Sequence, residues 1–163
     1  MQGLRDVHVL ELSSGIAGAY AAKLFADAGA DVVKIGALAG DASALARFLA
    51  AGKRIAPDAD ALLAGADLIV VDDARALPTA APSQVLLAIT PYGLAGPACG
   101  RPSSEFTLQA ESGSIGTRGL PGQEPFQAGG QMTEWLGGTY AAVAALAAVV
   151  RMRRTGHGER IDF

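Results

Sequence analysis

The sequence predicts an α/β fold with an open, mainly parallel β-sheet that is flanked by helices. Two observations predict it. Short runs of apolar and β-branched residues recur along the chain, and longer segments with apolar residues at helical spacing lie between them. Connections of this kind join parallel strands through a crossover helix. With 163 residues, the chain has the size of one ordinary domain.

The first elements predict a strand, a glycine turn, a helix and a second strand. Residues 7–12 form the first apolar run, and Ser-Ser-Gly at 13–15 predicts a turn. Apolar residues then recur at helical spacing over residues 17–28, and Gly29 is a typical residue to follow a helix end. Residues 31–35 form the second strand. This βαβ unit gives the chain a Rossmann-like beginning.

The middle of the chain predicts two further strands. Residues 67–71 and 84–90 are apolar enough to be buried on both faces of a sheet. The segments before them are, in order, a loop at 36–41, a helix at 42–51, a basic turn at 52–54 and a helix at 58–64. The predicted sheet therefore has about four strands.

The last part of the chain predicts a binding edge and a long C-terminal helix. Residues 91–104 are rich in Gly and Pro and follow a strand, so we expect a loop at the carboxyl edge of the sheet, where open α/β sheets bind ligands. A helix at 105–112, a second Gly/Pro loop and a long helix at 131–153 follow. Residues 160–163 begin a strand with no predicted partner, and we therefore expect the chain to be a fragment.

Composition excludes several classes of function. The formal net charge is −3 and basic residues are scattered, so we expect no nucleic-acid partner. The single cysteine, Cys99, forms no internal disulfide, and the N-terminus has no secretory pattern, which favours the cytoplasm. His8 and His157 lack the spacing of metal ligands. The apolar run at 139–150 is shorter than the ~20 residues of a membrane span and predicts a buried helix.

The turn after the first strand is a candidate binding element. Its free backbone N–H groups at Ile16, Ala17 and Gly18 could approach a phosphate or an adenosine group. The spacing of Gly15 and Gly18 does not match G-x-G-x-x-G, and no acidic residue ends the second strand, which excludes an ordinary nicotinamide dehydrogenase. On these residues alone, a tight turn without a ligand is an equal alternative.

Several segments, taken in order, are similar to one family. They are residues 9–35 (VLELSSGIAGAYAAKLFADAGADVVKI), Gly40-Asp41, Gly52-Lys53-Arg54, residues 66–70 (ADLIV), 92–97 (YGLAGP), 109–113 (QAESG) and 153–162 (RRTGHGERID). Together they resemble family III CoA-transferases, the group of formyl-CoA transferase, carnitine-CoA transferase and the acyl-CoA racemases. The resemblance covers essentially the whole chain.

The resemblance implies the chemistry. In this family an active-site carboxylate attacks an acyl-CoA, and the acyl group and CoA then pass through an anhydride and an enzyme-bound thioester. The family's nucleophile is an Asp near the start of the long helix, and Glu134 stands at that position within residues 129–142. The alternative for Glu134 is a first-turn residue that complements a helix N-terminus. The implied substrates are acyl-CoA and a small carboxylic acid, without a tightly bound cofactor.

Other positions carry implied roles. Glu105 matches a carboxylate that lies near the nucleophile and orients it, or else it is only the first residue of a helix capped by Ser104. Ser104 replaces the histidine of the racemases, which disfavours racemase chemistry. Coenzyme A would contact Ile16, Ala17 and Gly18, the phosphates would meet Lys53 and Arg54, and Asp72 would lie in the CoA pocket. Solvated surface charge is the alternative for Lys53 and Arg54.

Two functional hypotheses follow. The first is the N-terminal half of a CoA-transferase, with its second domain missing, whose full-length relatives form interlocked homodimers. The second is a catalytically inactive scaffold or oligomerisation domain of the same fold. In both cases, we expect the isolated fragment to be inactive and to expose apolar surface on its long helix or near Phe163.

Overall fold

The structure is a computed structural model that describes residues 3–36 and 43–163. The predicted loop at 36–41 and the Gly40-Asp41 motif therefore lie largely outside the described residues. The strands are β1 (His8–Glu11), β2 (Asp31–Ile35), β3 (Arg54–Ala56), β4 (Leu68–Val71), β5 (Val85–Ala88) and β6 (Arg160–Asp162). The helices are α1 (Ile16–Asp27), α2 (Ala44–Ala50), α3 (Asp60–Leu63), α4 (Glu105–Glu111) and α5 (Met132–Thr155), with a 3₁₀ turn at Ile115–Thr117.

The strands form one parallel sheet in the order β3-β2-β1-β4-β5-β6. The predicted fold class is thus confirmed, and the four predicted strands are β1, β2, β4 and β5. The strand count was wrong, because the described chain contributes six. Arg54–Ala56, predicted as part of a turn, is a short edge strand on β2, and Arg160–Asp162, predicted without a partner, pairs with β5.

Side chains alternate between the two faces of the sheet, as the period of a strand requires. One face packs against α1 and α5 through an apolar cluster that includes Val9, Val32, Val70 and Leu87. The other face, with Leu10, Val33, Ile69 and Leu86, is covered by α3 and by apolar residues of the segment that follows β4. Both faces are therefore buried at the centre of the sheet, which explains why β4 and β5 consist of apolar residues.

The two longest helices, α1 and α5, lie in close contact, and a glycine permits it. A methyl group added to Gly138 would lie 2.5 Å from the backbone oxygen of Ala17, closer than side-chain carbons approach. The approach places the first turn of α5 beside the start of α1. At its other end, α5 is followed by Gly156 in the left-handed conformation (φ 74°), which turns the chain towards β6.

The outer face of α5 is apolar and exposed. Its exposed large residues are Leu136, Tyr140, Val143, Leu146 and Val150. With Phe163 also 38% exposed, the predicted apolar surface is confirmed, whereas the prediction of a buried helix holds for one face of α5 only. By length and composition α5 could cross a membrane, a criterion that core helices of soluble proteins also meet. Its buried face packs on α1 in the core of the described chain.

Candidate active site

The order of the strands reverses between β1 and β4, and open α/β sheets bind ligands beyond the carboxyl ends of the strands at such a point. A cavity of about 530 Å³ lies there. Its walls come from the turn after β1, the segments that follow β4 and β5, the helices α4 and α5, and Phe163. The predicted binding edge is thus a real concavity.

Glu134 reaches into this cavity from the first turn of α5. Its Oε2 atom accepts a hydrogen bond of 2.8 Å from the backbone N–H of Ala17, the second residue of α1. The carboxylate therefore lies near the positive ends of two helices, its own and α1, which attract negative charge. Among residues 3–36 and 43–163, no cationic side chain forms an ion pair with Glu134.

Asp72, the residue after β4, binds the turn that precedes α1. Its Oδ2 atom accepts hydrogen bonds from the N–H groups of Ser14 (2.7 Å) and Gly15 (2.6 Å). A methyl group added to Gly15 would lie 3.2 Å from this Oδ2 atom and 3.7 Å from Glu134 Oε2, so the two carboxylates flank one glycine. Of the three amides at which we expected a phosphate or an adenosine, that of Ala17 is thus bound to Glu134, and Asp72 binds the two amides before them in the turn.

The three residues predicted to contact CoA at the start of α1 have different positions. Ala17 and Gly18 line the cavity, together with Gly15 before them. Ile16 begins α1 and lies outside the lining. A methyl group on Gly18 would lie 2.3 Å from the Ser13 side chain, so a larger residue could not take its place without displacing the turn. The shape of this turn therefore depends on small residues.

Glu105, the first residue of α4, lies beside the start of α5 and contacts Thr133. Its Oε1 atom accepts hydrogen bonds from the N–H of Thr133 (3.0 Å) and from Gln109 Nε2 (2.6 Å), and its Oε2 atom accepts one from the Thr133 hydroxyl. Partial burial alone would raise the pKa of Glu105, but the hydrogen bonds from Thr133 and Gln109 lower it on balance.

Glu105 and Glu134 were expected to lie near each other. They are linked through Thr133, the residue before Glu134, to which Glu105 is hydrogen-bonded. Ser104 caps α4, as the alternative interpretation of this segment predicts. Its side chain accepts a hydrogen bond from the N–H of Thr107, whose hydroxyl in turn accepts one from the N–H of Ser104. The two interpretations of this segment are compatible. Ser104 caps α4, and the carboxylate of Glu105 is therefore available to bind Thr133 at the start of α5.

Lys53 is not directed at the cavity. Its side chain is fully buried, and its ammonium donates to Glu11 Oε2 (2.6 Å) and to the backbone oxygen of Ala19 (2.7 Å). Lys34 binds the other oxygen of Glu11 at 3.0 Å. Burial lowers the pKa of Lys53, an effect that Glu11 opposes. Lys53 is therefore committed to a structural cluster in this structure.

Arg54 lies near the amino ends of β1 and β2, away from the cavity at their carboxyl ends. Its guanidinium forms two hydrogen bonds to the Asp31 carboxylate, at 2.9 and 2.6 Å, and lines a separate cavity of about 290 Å³ with His8 and Asp31. This ion pair lowers the pKa of Asp31. The structure thus places Ala17, Gly18, Asp72 and Glu134 in the wall of one cavity, and Glu105 contacts this wall through Thr133. Lys53 and Arg54 do not line that cavity.

Sequence reasoning missed several residues of this region. Thr133 and Gln109 link Glu105 to α5, and the hydroxyls of Thr90 and Tyr92, which both line the cavity, are buried without a hydrogen-bond partner in the described chain. For the buried cluster of Glu11, Lys34 and Lys53 the sequence did contain a signal. Glu11 is a charged residue in an otherwise mainly apolar strand, and a buried charge needs a partner of opposite charge. Among the described residues, no group of three His, Cys, Asp or Glu side chains could hold a metal ion.

The chain matches a known family along most of its length. The sequence model of CoA-transferase family III matches residues 4–55 and 59–163. Among curated relatives, the BbsE subunit of succinyl-CoA:(R)-benzylsuccinate CoA-transferase from Thauera aromatica is 31% identical over 91% of the chain. Succinate–glutarate CoA-transferase from Agrobacterium fabrum is 26% identical over 98% of it. The chain spans about half the length of these relatives, 45% and 50% respectively.

Solved structures agree with this match. A CAIB/BAIF family protein from Brucella suis superposes with a TM-score of 0.84 at 25% identity, over 98% of this chain and 52% of the other. A hypothetical protein from Mycobacterium tuberculosis superposes with a TM-score of 0.78 at 23% identity, over 97% of this chain and 54% of the other. The second similarity supports the fold only.

Proposed function

Because this chain belongs to CoA-transferase family III, we propose that it is the half of an acyl-CoA:carboxylate CoA-transferase that carries the nucleophile, Glu134. One observation carries the proposal. The Glu134 carboxylate lies in a cavity of about 530 Å³, is held by the N–H of Ala17, and has no cationic partner among the described residues. One carboxylate oxygen thus remains free of protein donors in the described chain.

The reaction begins with an attack by that carboxylate on the carbonyl carbon of an acyl-CoA. The C–S bond breaks, CoA leaves as the thiolate, and the acyl group joins Glu134 in a mixed anhydride. The thiolate then attacks the side-chain carbonyl of Glu134, which releases the first carboxylic acid and leaves a glutamyl-CoA thioester. A second carboxylate reverses these two steps, which yields the new acyl-CoA and restores Glu134.

Ala17 has a role in this sequence. Negative charge develops on the side-chain oxygen of Glu134 when the CoA thiolate attacks, and a donor stabilises such charge when it lies ~2.7–3.1 Å from the oxygen. The N–H of Ala17 is already 2.8 Å from Glu134 Oε2. It also belongs to the first turn of α1, whose positive end adds to the stabilisation.

Glu105 acts in this proposal as a positioning residue. Its carboxylate binds both the N–H and the hydroxyl of Thr133, and it thereby fixes the first turn of α5, on which Glu134 is the next residue. Reacting groups must be held ~3–3.5 Å apart in the correct orientation, and small displacements are costly. A fixed first turn meets that requirement.

The names of the relatives suggest the first substrates to test. Both names include succinate or its CoA thioester, with benzylsuccinate or glutarate as the second acid. We extend to this protein the class that they share, a small carboxylic acid and its CoA thioester. The apolar side chains in the cavity wall, among them Ile89, Leu108 and Phe163, suit the carbon chain of such an acid.

The proposal is tested by trapping the covalent intermediate in the full-length protein. Incubation with succinyl-CoA followed by hydroxylamine or borohydride should label the peptide that contains Glu134, as detected by mass spectrometry. Glu134→Ala should abolish the label, whereas Glu124→Ala, in an exposed loop, should retain it. A folded protein that forms no adduct and binds no CoA in calorimetry would instead support a non-catalytic scaffold.

We propose further that the full-length protein is a homodimer. The apolar residues on the outer face of α5 favour this, because exposed apolar stripes of this kind are normally covered by another chain or domain. Light scattering should give twice the monomer mass. Replacing Val143 by Glu in the middle of the stripe should lower that mass, and a monomeric wild-type protein would contradict the proposal.

A further inference from the structure

Gln109 is a fully buried polar side chain that the proposed reaction does not use. It lies on α4 and joins the first residue of that helix, Glu105, to Arg118 and Ala128. Its amide nitrogen donates to Glu105 Oε1 (2.6 Å) and to the backbone oxygen of Ala128 (3.2 Å). Its amide oxygen accepts from Arg118 Nη1 (2.8 Å) and from the N–H of Ala128 (2.8 Å).

These four hydrogen bonds use the full capacity of an amide, which has two donor hydrogens and one acceptor oxygen with two lone pairs. An apolar residue at 109 would deprive the N–H and the backbone oxygen of Ala128 of this partner, and it would leave Glu105 Oε1 with the N–H of Thr133 as its remaining donor. A glutamate would replace a donor by an acceptor and face the carboxylate of Glu105. Only a side chain with both a donor and an acceptor fits, which is an exacting requirement for a position outside the cavity lining.

The contacts of Gln109 form a chain that ends at the nucleophile. Gln109 holds Glu105, Glu105 holds Thr133 through two hydrogen bonds, and the residue after Thr133 is Glu134. In the other direction, Gln109 binds the two ends of the segment from Arg118 to Ala128. The middle of that segment is exposed, with Leu120 at 67% and Phe126 at 60%.

We infer that Gln109 is a positioning residue that acts through Glu105, and that it makes the orientation of Glu134 depend on the segment 118–128. This inference rests on the proposed function, since it concerns the placement of the proposed nucleophile. Gln109 donates to one oxygen of Glu105, and this contact fixes the plane of the carboxylate so that both oxygens reach Thr133. The start of α5 is thereby set against Ala17.

A double-mutant cycle in the full-length protein tests the inference. Gln109→Met removes the donor, and Glu105→Gln removes the carboxylate on which Gln109 acts. We expect Gln109→Met to lower kcat by ~10–100-fold, the range that a displacement of about 1 Å produces, with little change in KM for the acyl-CoA. Because both residues act in one chain, the double variant should lose little more than Glu105→Gln alone. Arg75→Met, at an exposed position outside the segment 118–128, is the control.

The pH profile gives a second readout that a merely structural role would not change. Gln109 contributes to the lowered pKa of Glu105, so its removal should raise that pKa. The acid limb of kcat in Gln109→Met should therefore move to higher pH. A shift of the limb in the control, or additive losses in the cycle, would overturn the inference.

A crystal structure of Gln109→Met separates this inference from the proposed function. We expect the Glu134 carboxylate to leave the N–H of Ala17, even if the protein proves to have no transferase activity. An unmoved Glu134 overturns the inference whatever the activity. Absence of a covalent adduct in the wild-type protein overturns the proposed function alone.

Discussion

Two glutamates at the carboxyl edge of the sheet have opposite surroundings. Glu11, on β1, is fully buried and bound by the ammonium groups of Lys34 and Lys53, at 3.0 and 2.6 Å. Glu134, on α5, faces an open cavity and is held by the backbone N–H of Ala17. A glutamate side chain is thus held by two ammonium groups at position 11 and by one backbone amide at position 134.

The difference shows which carboxylate keeps an oxygen free of protein donors among the described residues. Two ammonium groups and Ser13 occupy both oxygens of Glu11, and its burial excludes a substrate. A backbone amide stabilises charge on one oxygen of Glu134 without blocking the other. Hydrogen bonding to the helix N-terminus thus leaves one oxygen of Glu134 free, as the proposed nucleophile requires, whereas ion pairing makes Glu11 a buried structural contact.

The largest effect that this comparison predicts is on stability. Glu11→Gln leaves two buried ammonium groups with no carboxylate, and breaking a buried ion pair in this way costs about 3–5 kcal/mol. We expect chemical denaturation to show a loss of that size. Glu134→Gln should change the unfolding free energy far less, because it breaks no ion pair. Equal losses in both variants would contradict the distinction between the two sites.

The second effect is on catalysis. Glu134→Asp shortens the side chain by one methylene, which withdraws the carboxylate from Ala17. We expect kcat to fall by ~10²-fold in the full-length protein, with thermal stability nearly unchanged. Steady-state kinetics with succinyl-CoA measures this. An increase in kcat would mean that the pocket is shaped for aspartate, as in the family pattern.

The smallest effect concerns Arg54. It lies at the opposite edge of the sheet from Glu134 and is exposed in its pair with Asp31. Arg54→Ala should leave KM for the acyl-CoA within ~2-fold, because Arg54 does not line the cavity of Glu134 and the loss of a surface ion pair disturbs the fold little. If the basic turn does bind CoA phosphates, as the resemblance implies, KM should rise at least ~10-fold and the increase should depend on salt.

The parallel sheet and the position of Glu134 could be predicted because local patterns specify them. Short runs rich in apolar and β-branched residues mark β1, β2, β4 and β5, and the spacing around Glu134 matches a family pattern. The strand β3 could not be predicted in this way, since it has three residues, lies at the edge and begins inside Gly-Lys-Arg. The pairing of β6 was missed because its partner, β5, precedes it by some 70 residues and the whole of α5.

The contacts of the site could be predicted only in part. A neighbourhood of Glu105 and Glu134 follows from the resemblance, but the contact runs through Thr133, which no local pattern indicates. The role of Lys53 depends on tertiary structure, because its partner Glu11 is 42 residues away. The resemblance suggested that Lys53 and Arg54 bind the phosphates of CoA. In the folded chain, Lys53 binds the carboxylate of Glu11 and Arg54 binds that of Asp31.

Gly138 links the packing of two helices to the position of Glu134. It allows α5 to approach Ala17, and the same Ala17 holds Glu134 one turn earlier on α5. A larger residue at 138 would push the helices apart and would lengthen the Glu134–Ala17 hydrogen bond. Libraries that probe the acyl specificity of the proposed transferase should therefore spare position 138 and vary residues of the cavity wall such as Ile89 and Leu108.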